Sequence, residues 1–117
     1  MPNDATQFLF FINAFFFFIY GIQALFSKKM KGEFKRFGLT DRQRMLVGIL
    51  QISGSTGMIA GFIYPIIGFL ASSGFTAMML IAFFVRIKIK DSLAQALPSL
   101  IFMLINIWVA IAFYELL

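Results

Sequence analysis

The sequence predicts an all-α integral membrane protein, a four-helix bundle with both ends outside and two basic loops in the cytoplasm. Three observations carry the prediction. Of the 117 residues, 61% are hydrophobic and the mean hydropathy is +0.91, more apolar surface than so small a water-soluble domain has interior to hide. That content falls into four runs of bilayer length, since about 20 apolar residues cross about 30 Å of hydrocarbon as a helix. All ten lysines and arginines lie in two of the segments between runs. In lipid each run must satisfy its own backbone groups, which leaves helix as the reading for all four. Residues 1–117 form a single membrane domain on this view.

The first run, about residues 8–27, is uncharged and contains Phe15-Phe16-Phe17-Phe18, which has no period and reads as lipid-facing and packing bulk. Ahead of it, Met1-Pro2-Asn3-Asp4 lacks a basic residue. A cleavable signal peptide starts positive, so the first run is expected to be retained.

A basic loop, residues 28–44, follows. Lys28, Lys29, Lys31, Lys35, Arg36, Arg42 and Arg44 oppose only Glu33 and Asp41 there. Met30, Phe34 and Phe37 recur at helical spacing, so a short helix is expected to lay one apolar face on the membrane with its lysines in water. Gly38 can end that helix. Thr40 and Gln43 have the spacing of a capping box opening the next long helix.

The second and third runs, about residues 45–64 and 66–85, are separated by little more than Tyr64-Pro65 and are expected to be antiparallel neighbours. A second short basic loop, residues 86–92, carries Arg86, Lys88 and Lys90 against Asp91. The fourth run covers about residues 93–117. Tyr64 and Tyr114 suit interfacial anchoring, while Trp108 lies deeper and is expected to pack. Two crossings separate the basic loops, which puts both on one side, and the positive-inside rule makes that side the cytoplasm. Beyond orienting the chain, Lys28, Lys29, Lys31, Lys35 and Arg36 with Arg86, Lys88 and Lys90 offer a surface to lipid headgroups or to a partner at the cytoplasmic face.

Helices in lipid associate through close packing at small residues and through hydrogen bonds. On the second run Gln51, Gly54, Gly57, Met58 and Gly61 share a face, and Gly74 continues the small-residue theme on the third. These glycines serve either a tight helix–helix seam or a groove for a ligand tail. Asn13, Tyr20, Gln51 and Asn106 are polar groups within the spans and are expected to face inward. They serve either as interhelical hydrogen bonds or as the lining of a pocket for a polar-headed hydrophobic molecule such as a quinone or a lipid.

Cysteine and histidine are both absent. Disulfides, thiol chemistry and the commonest metal and haem ligands are thereby excluded, so no metal site is expected. No span holds an interior acid or base, and acid–base catalysis needs one. No catalytic residue is assigned, and an enzyme acting alone is disfavoured. Small four-helix multidrug exporters have a similar length but carry a membrane-embedded Glu in their first helix, where this chain has Asn13 and Gln23. The basic residues form topology loops and not a nucleic-acid groove.

Gly21-Ile22-Gln23-Ala24-Leu25-Phe26, then Phe37-Gly38-Leu39-Thr40, then Gly48-Ile49-Leu50-Gln51-Ile52-Ser53-Gly54, then Ile81-Ala82-Phe83-Phe84-Val85-Arg86, with Asp91 and Leu97-Pro98, occur in a fixed order. That order resembles the DoxX-like family of small four-helix membrane proteins over nearly the whole chain. The family often has Glu where this chain has Gln51, and His where it has Arg86; a role needing that acid or imidazole does not carry over. The resemblance implies a multi-pass protein of the bacterial inner membrane. It also implies, from named relatives, an association with thiosulfate:quinone oxidoreduction and redox-linked membrane complexes. The expected function is a non-catalytic membrane subunit or adaptor of a quinone-linked redox system, with no cofactor of its own beyond a bound quinone. The alternatives are a binder or carrier of a small hydrophobic ligand, quinone or lipid, and a membrane-protein assembly chaperone. The expected partners are the lipid bilayer, a protein at the cytoplasmic face and further copies of the chain.

Overall fold

The computed structural model describes residues 4–117, so Met1-Pro2-Asn3, part of the segment that argues against a cleaved signal peptide, lies outside the described residues. Five helices follow in order: α1 (Asp4–Phe26), α2 (Lys28–Arg36), α3 (Asp41–Ala60), α4 (Pro65–Lys88) and α5 (Leu93–Glu115). No strand occurs among the described residues. Local chemistry sets the boundaries. Asp4 in the first turn of α1 complements the helix dipole. Ser27 caps α2, and Thr40–Gln43 and Ser92–Gln95 close full capping boxes on α3 and α5. Pro65 sits in the first turn of α4, where its missing N–H costs nothing. Gly38 takes φ +82° after α2, a left-handed conformation that glycine adopts without strain.

Three helices, α1, α4 and α5, are long and apolar enough to cross a membrane. α3 has 20 residues but is diluted by Asp41, Arg42, Arg44, Gln51 and its serines and glycines. Of these, Arg44, Gln51 and Ser55 are buried, while the outer face of α3 carries exposed Met45, Leu46, Ile49, Leu50 and Ile59. α3 packs on α1 and α4, while α4 packs along α5 and α1 touches α5.

Three close approaches fix these pairings. On the α1–α3 seam, a Cβ at Gly21 would stand 2.9 Å from the Gly48 carbonyl oxygen, and the reverse distance is also 2.9 Å. On the α3–α4 seam a Cβ at Gly61 would meet the Gly68 Cα at 2.7 Å, and one at Gly54 would meet the Phe75 ring at 2.5 Å. Gly57 is in ordinary contact with Ala71. Nothing lies within 4 Å of a Cβ built at Gly74, so the close approach on α4 is made at Gly68 instead.

The bundle has two distinct ends. Arg36 reaches Asp91 at 2.6 Å and Arg86 lies 4.9 Å above the Phe37 ring, so residues 28–44 and 86–92 meet at one end. At the other, Phe10 stacks on Phe113 at 4.5 Å and stands 5.6 Å from Phe62. The long axis of 41 Å compares with a bilayer of about 40–45 Å including headgroups. The outer surface is oily: Phe8, Phe15, Leu70 and Phe84 are all exposed. Trp108 is among them at 61% exposure, so it faces the surroundings and does not pack the interior as expected from its depth.

Candidate binding cavity

The buried apolar residues fall into two clusters. The larger, around Phe10, Phe17, Met58, Phe75, Val109 and Phe113, fills the half of the bundle near the termini. The smaller joins Ala24, Met30 and Phe34, with Tyr20, Phe37, Leu39 and Val47 against them, below the basic end. This pattern corrects the expectation for α2. Its apolar face, Met30 and Phe34, is turned onto α1 and α3 and covered by protein, because Ala24 and Val47 offer a better-packed partner than lipid headgroups.

Between the clusters lies a cavity of about 290 Å³. The glycine seams draw α3 and α4 together near Gly54, Gly61 and Gly68, and toward the basic end Val47 and Gln51 of α3 line the cavity with Ala82 and Val85 of α4. The stacked Phe17 and Phe75 rings, 4.1 Å apart, belong to the packed side below it. Phe16 stacks on Phe102 at 4.0 Å, and both line the cavity. Met78 and Met79 line it from α4, and Phe34, Phe37 and Leu39 form the wall beneath α2. Arg86, Gln95 and Ser99 supply polar groups toward the basic end.

The four polar residues singled out in the spans divide into two pairs. Tyr20 and Gln51 both line the cavity. Gln51 is 2% exposed, and its Oε1 is buried with no hydrogen-bond donor. A buried unpaired amide oxygen costs about 1–3 kcal/mol, so such a group marks a place where a donor belongs. Asn13 and Asn106 do not line the cavity. They satisfy each other: Asn13 Nδ2 donates to Asn106 Oδ1 at 2.8 Å, and Asn106 Nδ2 donates to Asn13 Oδ1 at 3.3 Å and to the Phe102 carbonyl at 2.8 Å.

At the basic end an ionic cluster spans three segments. Asp91, with its side chain 6% exposed, accepts from Arg36 and from Arg86 Nη1 at 3.0 Å, and Arg36 also pairs with Glu33 at 2.8 Å. The Arg36 hydrogen bonds, assisted by Arg86 against the opposing effect of desolvation, hold the Asp91 carboxyl below its usual range. The hydrogen bonds to Asp91 and Glu33 raise Arg36 further.

By its place in the sequence Arg44 is one more charge of the first basic loop. It is nevertheless 4% exposed, and its Nη1 donates to the Ala24 and Leu25 carbonyls that end α1. The signal was present in the sequence: a cation in the first turn of a helix opposes the dipole and calls for a partner such as another helix's C-terminus.

The model of the DoxX-like family matches residues 8–109. The chain belongs to the DoxX-like family. The matched stretch runs from α1 into α5 and contains every residue of the cavity wall. No curated protein and no solved structure matches the chain. Membership of the DoxX-like family, together with the apolar helices, makes this a multi-pass membrane protein in contact with lipid.

Proposed function

We propose that this DoxX-like protein binds a small hydrophobic molecule, with a hydroxyl or N–H head, in the cavity between its helices. The observation that carries the reading is the unpaired Gln51 Oε1 in the wall of an otherwise apolar, aromatic-rich space. The Tyr20 hydroxyl on the same wall can complete the recognition of a head group. The rings of Phe16, Phe34 and Phe102 and the thioethers of Met78 and Met79 suit a flat ring, such as that of a quinol, better than a bare acyl chain. Sites of this kind pair many apolar contacts with a few placed polar groups.

In this proposal α3 is a fourth crossing helix: its exposed face carries Met45, Leu46, Ile49, Leu50 and Ile59, while Arg44, Gln51 and Ser55 are turned inside. The basic end faces the cytoplasm of a bacterial inner membrane, and both termini face outward. Exposed lysines at that end, Lys28, Lys29, Lys31, Lys35, Lys88 and Lys90, support a second role as an adaptor docked to an acidic partner or anionic lipid.

Native mass spectrometry of the protein extracted from its own membranes in mild detergent tests the binding reading. An adduct of small, defined mass is expected, and Gln51→Leu and Tyr20→Phe should each cut its occupancy about tenfold, the effect of losing one buried hydrogen bond. An adduct-free protein, or an adduct indifferent to Gln51→Leu, overturns the reading.

A further inference from the structure

α2 is held to the two sides of the bundle by different kinds of contact. α2 packs on α1 and α3, yet no Cα of α2 comes within 8 Å of α4 or α5. Its side chains nevertheless reach across: Phe34 and Phe37 line the same cavity as Met78, Met79 and Val85 of α4. On that far side α2 is held by polar contacts. Arg36 donates to both carboxylate oxygens of Asp91, at 2.6 and 3.3 Å. Arg86 donates to the same carboxylate and lies over the Phe37 ring just beyond α2. The segment is flanked by non-helical joints, Ser27 with extended backbone and Gly38 at φ +82°.

We infer that α2 with Phe37 forms a lid over the cavity, latched to the α4–α5 side by the Arg36–Asp91–Arg86 cluster. The inference rests on the ligand-binding reading for its purpose, but the lid itself is defined by geometry. Closed, Phe34 and Phe37 form the part of the cavity wall that lies beneath α2. Released from Asp91, the segment can swing on Ser27 and Gly38 while its α1 side stays packed through Met30 and Ala24. The latch groups are polar, so water can replace their mutual hydrogen bonds when it opens. Exchange of a bound molecule would then occur at the membrane–water interface of the basic end.

The chain contains no cysteine, so a single introduced thiol reports access without background. Ala82 lines the cavity from α4, and Ala82→Cys is a small change there. Its labelling by a charged, membrane-impermeant thiosulfonate is followed in nanodiscs with no ligand added. Adding Asp91→Asn should raise the labelling rate about fivefold, corresponding to about 1 kcal/mol of lost latch. Arg36→Gln should act in the same direction, and Lys35→Gln, which removes a neighbouring charge outside the latch, should leave the rate unchanged. Labelling of Gly32→Cys on the exposed side of α2 should not respond to any of them. Equal rates with and without Asp91→Asn and Arg36→Gln overturn the lid, as does an Ala82→Cys thiol that never reacts. Neither result touches the retention of a ligand by Gln51, which the mass measurement decides separately.

Discussion

Asn13 and Asn106, 93 positions apart in the chain, exchange hydrogen bonds between their side-chain amides across the α1–α5 contact. Both are buried, at 1% and 0% exposure. α1 and α5 also meet through the Phe10–Phe113 and Phe16–Phe102 stacks, and the amide pair lies between these two. An interhelical hydrogen bond in a membrane is worth about 0.6–2 kcal/mol, and a partner left unpaired adds to the loss.

Asn13→Leu and Asn106→Leu should each destabilise the protein by about 1–2 kcal/mol in SDS titration from mixed micelles. The double variant should lose less than the sum, by about 1 kcal/mol, because neither amide is then stranded. Ligand retention should survive both single changes, since neither residue lines the cavity. Strict additivity would show that the pair is not coupled.

The Arg44 guanidinium joins the start of α3 to the end of α1, whose last turn has no basic residue of its own. Arg44→Leu strips the donor from the Ala24 and Leu25 carbonyls and should cost about 2–3 kcal/mol, the range for hydrogen bonds to a charged group. Arg44→Lys should recover part of this, because a shorter ammonium keeps the charge near the helix C-terminus but not the reach. Unfolding of both variants in the same micelles checks the order; an undiminished Arg44→Leu protein would refute it.

What could be read from the sequence was what depends on near neighbours. The Thr40–Gln43 box, the Gly38 stop and the tight turn at Pro65 are all in place because their geometry is settled within four or five residues. The glycines of α3 were legible as a face, and that face does meet α4 at Gly61. Less was legible wherever a side chain's partner lies far along the chain. Periodicity gives α2 an apolar face but does not say whether lipid or Val47 covers it. Asn13, Gln51 and Asn106 are similar amides in similar runs. Only the fold shows that two of them saturate each other while Gln51 keeps an unpaired oxygen beside a cavity. The three apolar helices announced themselves by composition, whereas α3, with its charged first turn and its buried Arg44, Gln51 and Ser55, is polar enough to fall short.

The Gly61–Gly68 approach gives a steric prediction. A methyl group at Gly61 would sit 2.7 Å from the Gly68 backbone, and one at Gly68 would sit 2.5 Å from the Phe113 ring. Phe113 is 0% exposed and cannot swing clear. Gly61→Ala and Gly68→Ala should each cost about 1–3 kcal/mol, as overpacking does. Gly74→Ala meets open space and should be neutral or stabilising by up to about 1 kcal/mol through helix propensity. Circular dichroism melts of the three variants separate the cases; a Gly74→Ala loss equal to that of Gly68→Ala would contradict the seam.

Asp91 gives the latch a pH dependence whose sign follows from its shifted carboxyl. Arg36, with Arg86, holds that carboxyl below its usual value, so the folded state binds its proton more weakly than the unfolded chain does. The latch therefore contributes fully above the ordinary carboxylate value of about 4, and its contribution fades as pH falls through the lowered folded value. Raising the pH above neutrality should change nothing at this site, since the arginines stay charged. Thermal stability measured downward from pH 6 should hold until about pH 4 and then fall. In Asp91→Asn the stability should start lower and lose this part of the acid slope. An acid slope as steep in Asp91→Asn as in the parent chain would mean that Asp91 is not the titrating member of the cluster.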